Sequence, residues 1–88
     1  MKRQHITLPN DTQLSYLQAG NGPTTLLFLH GWAINADYWT AQITHFSPNY
    51  SIYAPDLTGF GASTANRTDW SIEAYARDIN AFITALDL

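Results

Sequence analysis

The stretch that most constrains the fold is residues 25–35, TLLFLHGWAIN, in which an apolar run leads into a glycine turn and a tryptophan. The run itself, residues 26–29, is short and unbroken, a pattern typical of a strand buried on both faces of a sheet. Residues 36–46 have helical character, so the turn at His30 and Gly31 follows the C-terminal end of a strand. In open α/β sheets, ligands bind at that end.

The other elements can be assigned from turn residues and periodicity. Residues 4–8 and 13–18 alternate partially around Pro9-Asn10-Asp11, which predicts an antiparallel hairpin with Asn10 and Asp11 in its turn. The helix over 36–46 has Asn35 as N-cap and one apolar face, formed by Trp39, Ile43 and Phe46. Residues 51–54 predict a further strand.

The last predicted element is the strongest helix in the chain. Ser71 is its N-cap, and Glu73 lies in the first turn, where the helix dipole favours a negative charge. Its apolar residues repeat at helical spacing on one face, namely Ile72, Tyr75, Ala76, Ile79, Phe82, Ile83 and Leu86.

The predicted order is therefore β-β-β-α-β-α. A β-α-β unit implies parallel strands joined by a right-handed crossover. One buried strand and two helices with one-sided apolar faces require a sheet covered on both sides. The sequence thus predicts an α/β fold in which residues 1–88 form the first, incomplete part of one doubly wound domain.

Composition narrows the function classes. The chain has 88 residues, of which 45% are hydrophobic and 12% charged, so it is globular in composition. The net charge is −3 and the basic residues form no cluster, so we expect no nucleic-acid partner. No apolar segment approaches the roughly 20 residues of a membrane span, and the absence of cysteine fits a cytoplasmic protein. No metal-ligand or phosphate-binding pattern is present, so we expect no cofactor.

A second motif follows the strand at 51–54, in residues 56–63, DLTGFGAS. Together, LLFLHGWAINADYW and YAPDLTGFGAS resemble the N-terminal third of an α/β-hydrolase. They are especially similar to the esterase branch that includes pimeloyl-carrier-protein methyl ester esterases. In that family a buried strand ends in His-Gly-x, and the next strand ends in a Pro-Asp-x-x-Gly-x-Gly-x-Ser loop.

The resemblance implies roles for the first motif. The backbone N–H of Trp32 would be one donor of an oxyanion hole, and Gly31 would let the backbone approach the substrate closely. His30 would organise the turn through its ring nitrogens, because the catalytic histidine of this family lies near the far end of the chain. Aromatic side chains, those of Trp32, Tyr38 and Phe60, either line an acyl pocket or belong to the core.

The second motif carries an acid and a serine. Asp56 resembles the residue that holds the loop in this family by hydrogen bonds. Ser63 lies in Gly61-Ala62-Ser63-Thr64-Ala65, which lacks the final glycine of Gly-x-Ser-x-Gly and has no strand before it, so we reject it as a nucleophile. No Gly-x-Ser-x-Gly segment occurs in residues 1–88. The nucleophile elbow is expected beyond Leu88, and the 88-residue chain alone is expected to be inactive.

The resemblance also predicts that the strand at 51–54 lies between the hairpin and the apolar run. That run, from Leu26 to Leu29, would then be an open edge through which the chain associates with itself. The leading functional hypothesis is a serine hydrolase that acts on a small-molecule carboxylic ester. The alternatives are a non-catalytic binding or regulatory module on half a hydrolase scaffold, and a hydrolase with an aspartate nucleophile.

Overall fold

The computed structural model describes residues 1–88, apart from the side chain of Asn10. Four strands and two α-helices are present: β1 (Lys2–Thr7), β2 (Gln13–Ala19), β3 (Thr25–Leu27), α1 (Thr40–Phe46), β4 (Ser51–Pro55) and α2 (Ile72–Ala85). Short 3₁₀ segments, Pro9–Asp11 and Ala36–Trp39, precede β2 and α1. The predicted α/β order is confirmed.

The sheet has the order β1-β2-β4-β3. β1 pairs antiparallel with β2, β2 antiparallel with β4, and β4 parallel with β3. The predicted hairpin is therefore correct, and so is the position of β4 between the hairpin and β3. In the hairpin turn Asp11 has a φ of 60°; the predicted contribution of the Asn10 side chain lies outside the described residues.

Alternate residues of the central strands face two separate apolar clusters, as the two-residue period of a strand requires. One cluster holds Leu17, Ile52 and Ala54 with Ile43 of α1. The other, which includes Leu14 and Tyr16 of β2, holds Phe82 of α2. The helices therefore cover opposite faces of the sheet, as the sequence predicts.

Both predicted N-caps are present in the structure. Asn35 Oδ1 accepts a hydrogen bond from the Asp37 N–H at 2.9 Å, although the first turn after it is 3₁₀ and the α-helix begins at Thr40. Ser71 Oγ accepts from the Ala74 N–H at 3.1 Å and caps α2. These side chains satisfy donors that a helix start leaves without a backbone partner.

Two expectations about burial are met only in part. The run at 26–29 contains the strand β3, Thr25–Leu27, in which Leu26 and Leu27 pack against opposite clusters but stay partly exposed, and Leu29 is 43% exposed. The reason is that β3 lies at the edge of the sheet and has a neighbour, β4, on one side only.

The predicted apolar face of α2 is also divided. Phe82 is fully buried against the sheet, whereas Ile72 is 81% exposed. The buried residues of α2 are Ala74, Asp78 and Phe82, at a spacing of four. Helical periodicity located the apolar stripe correctly, but it could not show that only one side of the stripe has a partner. No helix among the described residues is both long and apolar enough to cross a membrane.

Candidate active site

The imidazole of His30 joins the loop after β3 to the loop after β4. The Leu57 N–H donates to His30 Nε2 at 2.8 Å, and Nδ1 lies 2.8 Å from the Gly31 carbonyl oxygen. Because Nε2 accepts from an amide, the proton belongs on Nδ1, which then donates to Gly31. The ring is buried and both nitrogens are engaged, so His30 has no free nitrogen with which to act as a general base.

Trp32 lies in the turn after His30 and is 81% exposed. Trp32 and Ala33 are the central residues of that turn, and Ala33 has a φ of 63°, in the left-handed region that non-glycine residues seldom adopt. Among the described residues, no hydrogen bond uses the Trp32 N–H. A Cβ on Gly31 would meet no atom closer than Ile34 Cδ1 at 4.0 Å, so the space in front of this backbone is open.

Asp56, at the end of β4, fixes the base of both loops. Its Oδ1 accepts from the Ala36 N–H at 2.8 Å, just after the Trp32 turn, and its Oδ2 accepts from the Ala62 N–H at 3.0 Å. Arg3 of β1 donates to the same Oδ2 at 3.0 Å. The carboxylate is 2% exposed, so a buried negative charge has a cation and two amide donors as partners.

The glycine at position 61 is required by this carboxylate. Gly61 has a φ of 52°, and a Cβ there would lie 2.3 Å from Asp56 Oδ2. The loop is fixed further by an antiparallel bridge in which Gln13 and Thr64 exchange two backbone hydrogen bonds of 2.8 Å. The Pro-Asp-x-x-Gly-x-Gly segment thus wraps around the Asp56 side chain.

Of the three aromatic candidates, two line one cavity and the third lies elsewhere. The Trp32 and Phe60 rings meet edge to face, with centroids 5.0 Å apart. They line a cavity of about 380 Å³ with Gly59, Trp70 and Tyr75, here called the aromatic hollow. Tyr38 does not line it; its exposed ring packs against the indole of Trp39 at 5.3 Å.

Ser63 is buried, and its hydroxyl is engaged by the backbone of β2. The Ser15 N–H donates to Ser63 Oγ at 2.9 Å. A nucleophile must be reachable by substrate and lie beside a base. Ser63 meets neither requirement, which agrees with its rejection from the sequence.

A buried ionic cluster below the aromatic hollow was missed by the sequence reasoning. Asp78 of α2 accepts from Arg67 Nη1 at 2.7 Å and from Thr58 Oγ1 at 2.6 Å. The hydrogen bond that Arg67 donates to Asp78 raises the pKa of the Arg67 guanidinium above its ordinary value, against the opposing effect of burial. Arg67 also stacks over the Trp70 ring, 4.7 Å from its centroid. The signal in the sequence was the position of Asp78, four residues after Ala74 and four before Phe82. This spacing puts an acid on the same helix face as two buried residues, where a charge requires a partner.

The role of Arg3 was missed as well, because the sequence around a cation in the first strand does not indicate that Asp56 is its partner. The buried polar groups at the strand ends thus make structural contacts, and the Trp32 N–H is among the loop N–H groups that these contacts leave unengaged. Among the described residues, no group of three His, Cys, Asp or Glu side chains could hold a metal ion.

Comparison with known proteins gives consistent relatives. A haloalkane dehalogenase of Mesorhizobium japonicum is 37% identical over 87 residues, which is 99% of this chain and 28% of that protein. A pimeloyl-[acyl-carrier protein] methyl ester esterase of Proteus mirabilis is 39% identical over 51 residues, 58% of this chain and 20% of that protein. The solved structure of a thermophilic esterase from Thermogutta terrifontis superimposes with a TM-score of 0.84 and 27% identity, over 99% of this chain and 33% of that one.

The chain therefore spans less than a third of the length of these two curated relatives. The model of the alpha/beta hydrolase fold matches residues 24–88, which include both site loops. This match, the dehalogenase identity over nearly the whole chain and the observed sheet order agree. The chain belongs to the α/β-hydrolase family, of whose fold it forms an N-terminal portion.

Proposed function

We propose that residues 1–88 supply the oxyanion side of the active site of a serine hydrolase that cleaves small-molecule carboxylic esters. The observation that carries this proposal is the unengaged Trp32 N–H at the end of β3. It lies in a turn whose base is held by two buried side chains, His30 and Asp56. The esterases among the relatives support ester chemistry.

The chemistry follows from the charge that develops during acyl transfer. Attack on an ester carbonyl places a negative charge on its oxygen, and a fixed N–H that points to that oxygen stabilises it. One such donor lowers the barrier by about 3 kcal/mol. The open space at Gly31 would admit the carbonyl oxygen, and the aromatic hollow beside Trp32 would hold an apolar acyl or alcohol group.

His30 acts in this proposal as a positioning residue. It connects Leu57 to Gly31, so the loops after β4 and β3 keep a fixed separation. The serine, acid and base of the triad are not supplied by residues 1–88, since no Gly-x-Ser-x-Gly segment occurs in them. The 88-residue chain should therefore not react with a serine-directed fluorophosphonate probe; stoichiometric labelling would contradict this assignment.

The test uses the longest natural polypeptide that contains residues 1–88, assayed with short-chain nitrophenyl esters. Trp32→Pro removes the amide hydrogen at a turn position, and kcat should fall by about 10²- to 10³-fold. Trp32→Phe is the matched control, because it keeps the N–H and an aromatic ring. Equal activity of the proline and phenylalanine variants would overturn the oxyanion role.

Two other functions have specific support. The dehalogenase relative favours an aspartate nucleophile on the same scaffold, in which case the polypeptide would release halide from a haloalkane faster than it cleaves esters. A non-catalytic binding module on the same scaffold is the other alternative, and its support is the strand edge of β3, which has no strand partner within residues 1–88. A coding sequence with Gly-x-Ser-x-Gly shortly after Leu88 would support the hydrolase, and a stop codon there would support the module.

A further inference from the structure

The Trp32 turn is held by side chains on both of its sides. Before the turn, the buried imidazole of His30 accepts from the Leu57 N–H at 2.8 Å. After the turn, Asp56 Oδ1 accepts from the Ala36 N–H at 2.8 Å. The position of the turn therefore depends on what fixes the Asp56 carboxylate.

The guanidinium of Arg3, on β1, joins three other parts of the fold. Its Nη1 donates to Asp56 Oδ2 at 3.0 Å and to Ser15 Oγ of β2 at 2.7 Å. Its Nη2 donates to Asp37 Oδ1 at 3.0 Å. Ser15 and Asp56 are both buried, whereas the Arg3 side chain is 31% exposed and that of Asp37 is 67% exposed. One nitrogen is thus anchored on buried groups, and the other reaches the protein surface.

The two carboxylates that Arg3 binds act on adjacent residues. Asp37 directly follows Ala36, whose N–H is bound by Asp56. Arg3 therefore reaches the segment after the Trp32 turn by two routes, directly through Asp37 and indirectly through Asp56. All of these groups lie within residues 1–88, at the side of the sheet where β1 and β2 are paired.

The residue type at position 3 suits a bridging role. A guanidinium carries five N–H donors in one plane, so a single cation can serve two carboxylates and a hydroxyl. A lysine ammonium is a compact charge on a flexible stem and would pair well with only one of the two acids. Neutralising the buried Asp56 charge would need a cation, but connecting Asp56 to Asp37 needs the arginine.

We propose that Arg3 is a positioning residue for ester hydrolysis, which fixes the segment after the Trp32 turn and thereby the direction of the Trp32 N–H. This inference rests on the proposed oxyanion role of Trp32. An N–H stabilises a developing oxyanion most when it is oriented before the reaction, because no free energy is then spent on reorganisation. Arg3 itself contacts no reacting group; it acts through Asp56 and Asp37.

The test measures ester hydrolysis by the longest natural polypeptide that contains residues 1–88. Arg3→Met keeps an unbranched side chain but removes the donors, and kcat should fall by about ten- to a hundredfold with KM unchanged. Arg3→Lys should recover part of this loss, because its ammonium group can still pair with Asp56. Lys2→Met is the matched control. It removes the neighbouring cation, whose side chain points to the opposite face of β1, and should leave kcat and KM unchanged.

A double-mutant cycle separates positioning from a general loss of stability. When Trp32→Pro has already removed the N–H, adding Arg3→Met should lower kcat by less than about twofold, because the two residues act through one donor. Hydrogen exchange at the Ala36 amide should accelerate in Arg3→Met but not in Lys2→Met. If Arg3→Met does not fold, Arg3→Lys takes its place in the cycle, because it keeps the buried carboxylate paired.

The outcomes distinguish this inference from the proposed function. An unchanged kcat in Arg3→Met, when Trp32→Pro is impaired, would overturn the positioning role and leave the oxyanion role standing. The same would follow if Arg3→Met lowered kcat equally with and without the Trp32 N–H. Full activity of Trp32→Pro would overturn the proposed function and this inference with it.

Discussion

The loops after β3 and β4 lie close to the outer side of α2, but the two regions differ in how far residues 1–88 satisfy them. Around His30 and Asp56, the buried polar groups of the loops are paired within residues 1–88. Along β3 and the outer side of α2, apolar side chains such as Ile72 have no described residue over them. The contacts that hold the loops are thus complete within residues 1–88, whereas the apolar side is left uncovered by these residues.

The largest expected effect tests whether α2 is held from one side only. Phe82→Ala removes a fully buried ring between the helix and the sheet and should lower the free energy of unfolding by about 3–5 kcal/mol. Ile72→Ala, on the outer side of the same helix, should change it by less than about 0.5 kcal/mol. Urea denaturation of both variants, at concentrations where the chain is monomeric, measures the difference; equal losses would show that the outer side is already packed.

The next effect concerns the polar loops. Asp56→Ala leaves Arg3 without its buried partner and the Ala36 and Ala62 amides without an acceptor. It should therefore lower the free energy of unfolding by about 3 kcal/mol. Asp37→Ala is the control, because that carboxylate binds the same Arg3 but is 67% exposed. Its loss should cost about 0.5 kcal/mol or less. Comparable losses in the two variants would mean that Asp56 is not the residue that holds the loops.

A smaller effect is expected at the connection between the loops. His30→Phe keeps an aromatic ring but removes the acceptor of the Leu57 N–H, which should lower stability by about 1–3 kcal/mol. Hydrogen exchange at the Leu57 amide should accelerate in this variant. His45→Phe, an exposed histidine on α1, should change neither quantity. Unchanged protection at Leu57 in His30→Phe would contradict the connection.

The smallest effect lies at the exposed start of α2. Hydrogen bonding from Ser71, through its side chain and then its backbone N–H, together with Arg77, lowers the pKa of Asp69. A carboxyl group with a lowered pKa in the folded state stabilises the fold above its unfolded pKa, near 4, and this contribution is lost as the pH falls through the folded pKa. Asp69→Asn should therefore make the acid limb of a stability–pH curve slightly shallower below about pH 4. An unchanged acid side of the curve would show that Ser71 and Arg77 do not hydrogen-bond Asp69 in solution.

Local sequence signals predicted the elements with good accuracy. The caps Asn35 and Ser71 lie where the structure has them, since capping depends on a few adjacent residues. The motif around Asp56 located the loop, but its partners Arg3 and Ala36 are distant in sequence and follow only from the folded sheet. Likewise, the sequence analysis missed the buried Asp78, whose partners Arg67 and Thr58 lie outside its helix and follow only from the folded chain.

The sequence by itself determined the α/β class, the order of elements, the family resemblance and the absence of a usable nucleophile in residues 1–88, because these depend on local pattern and residue identity. The tertiary structure alone decided which side of α2 is covered, how far β3 is buried and which groups satisfy Asp56 and His30. The physical reason is that burial and hydrogen-bond pairing are relations between distant residues, whereas periodicity describes only one element at a time. The run TLLFLHGWAIN thus predicts a strand and a turn, but only its neighbours make it a half-open edge beside an unengaged amide.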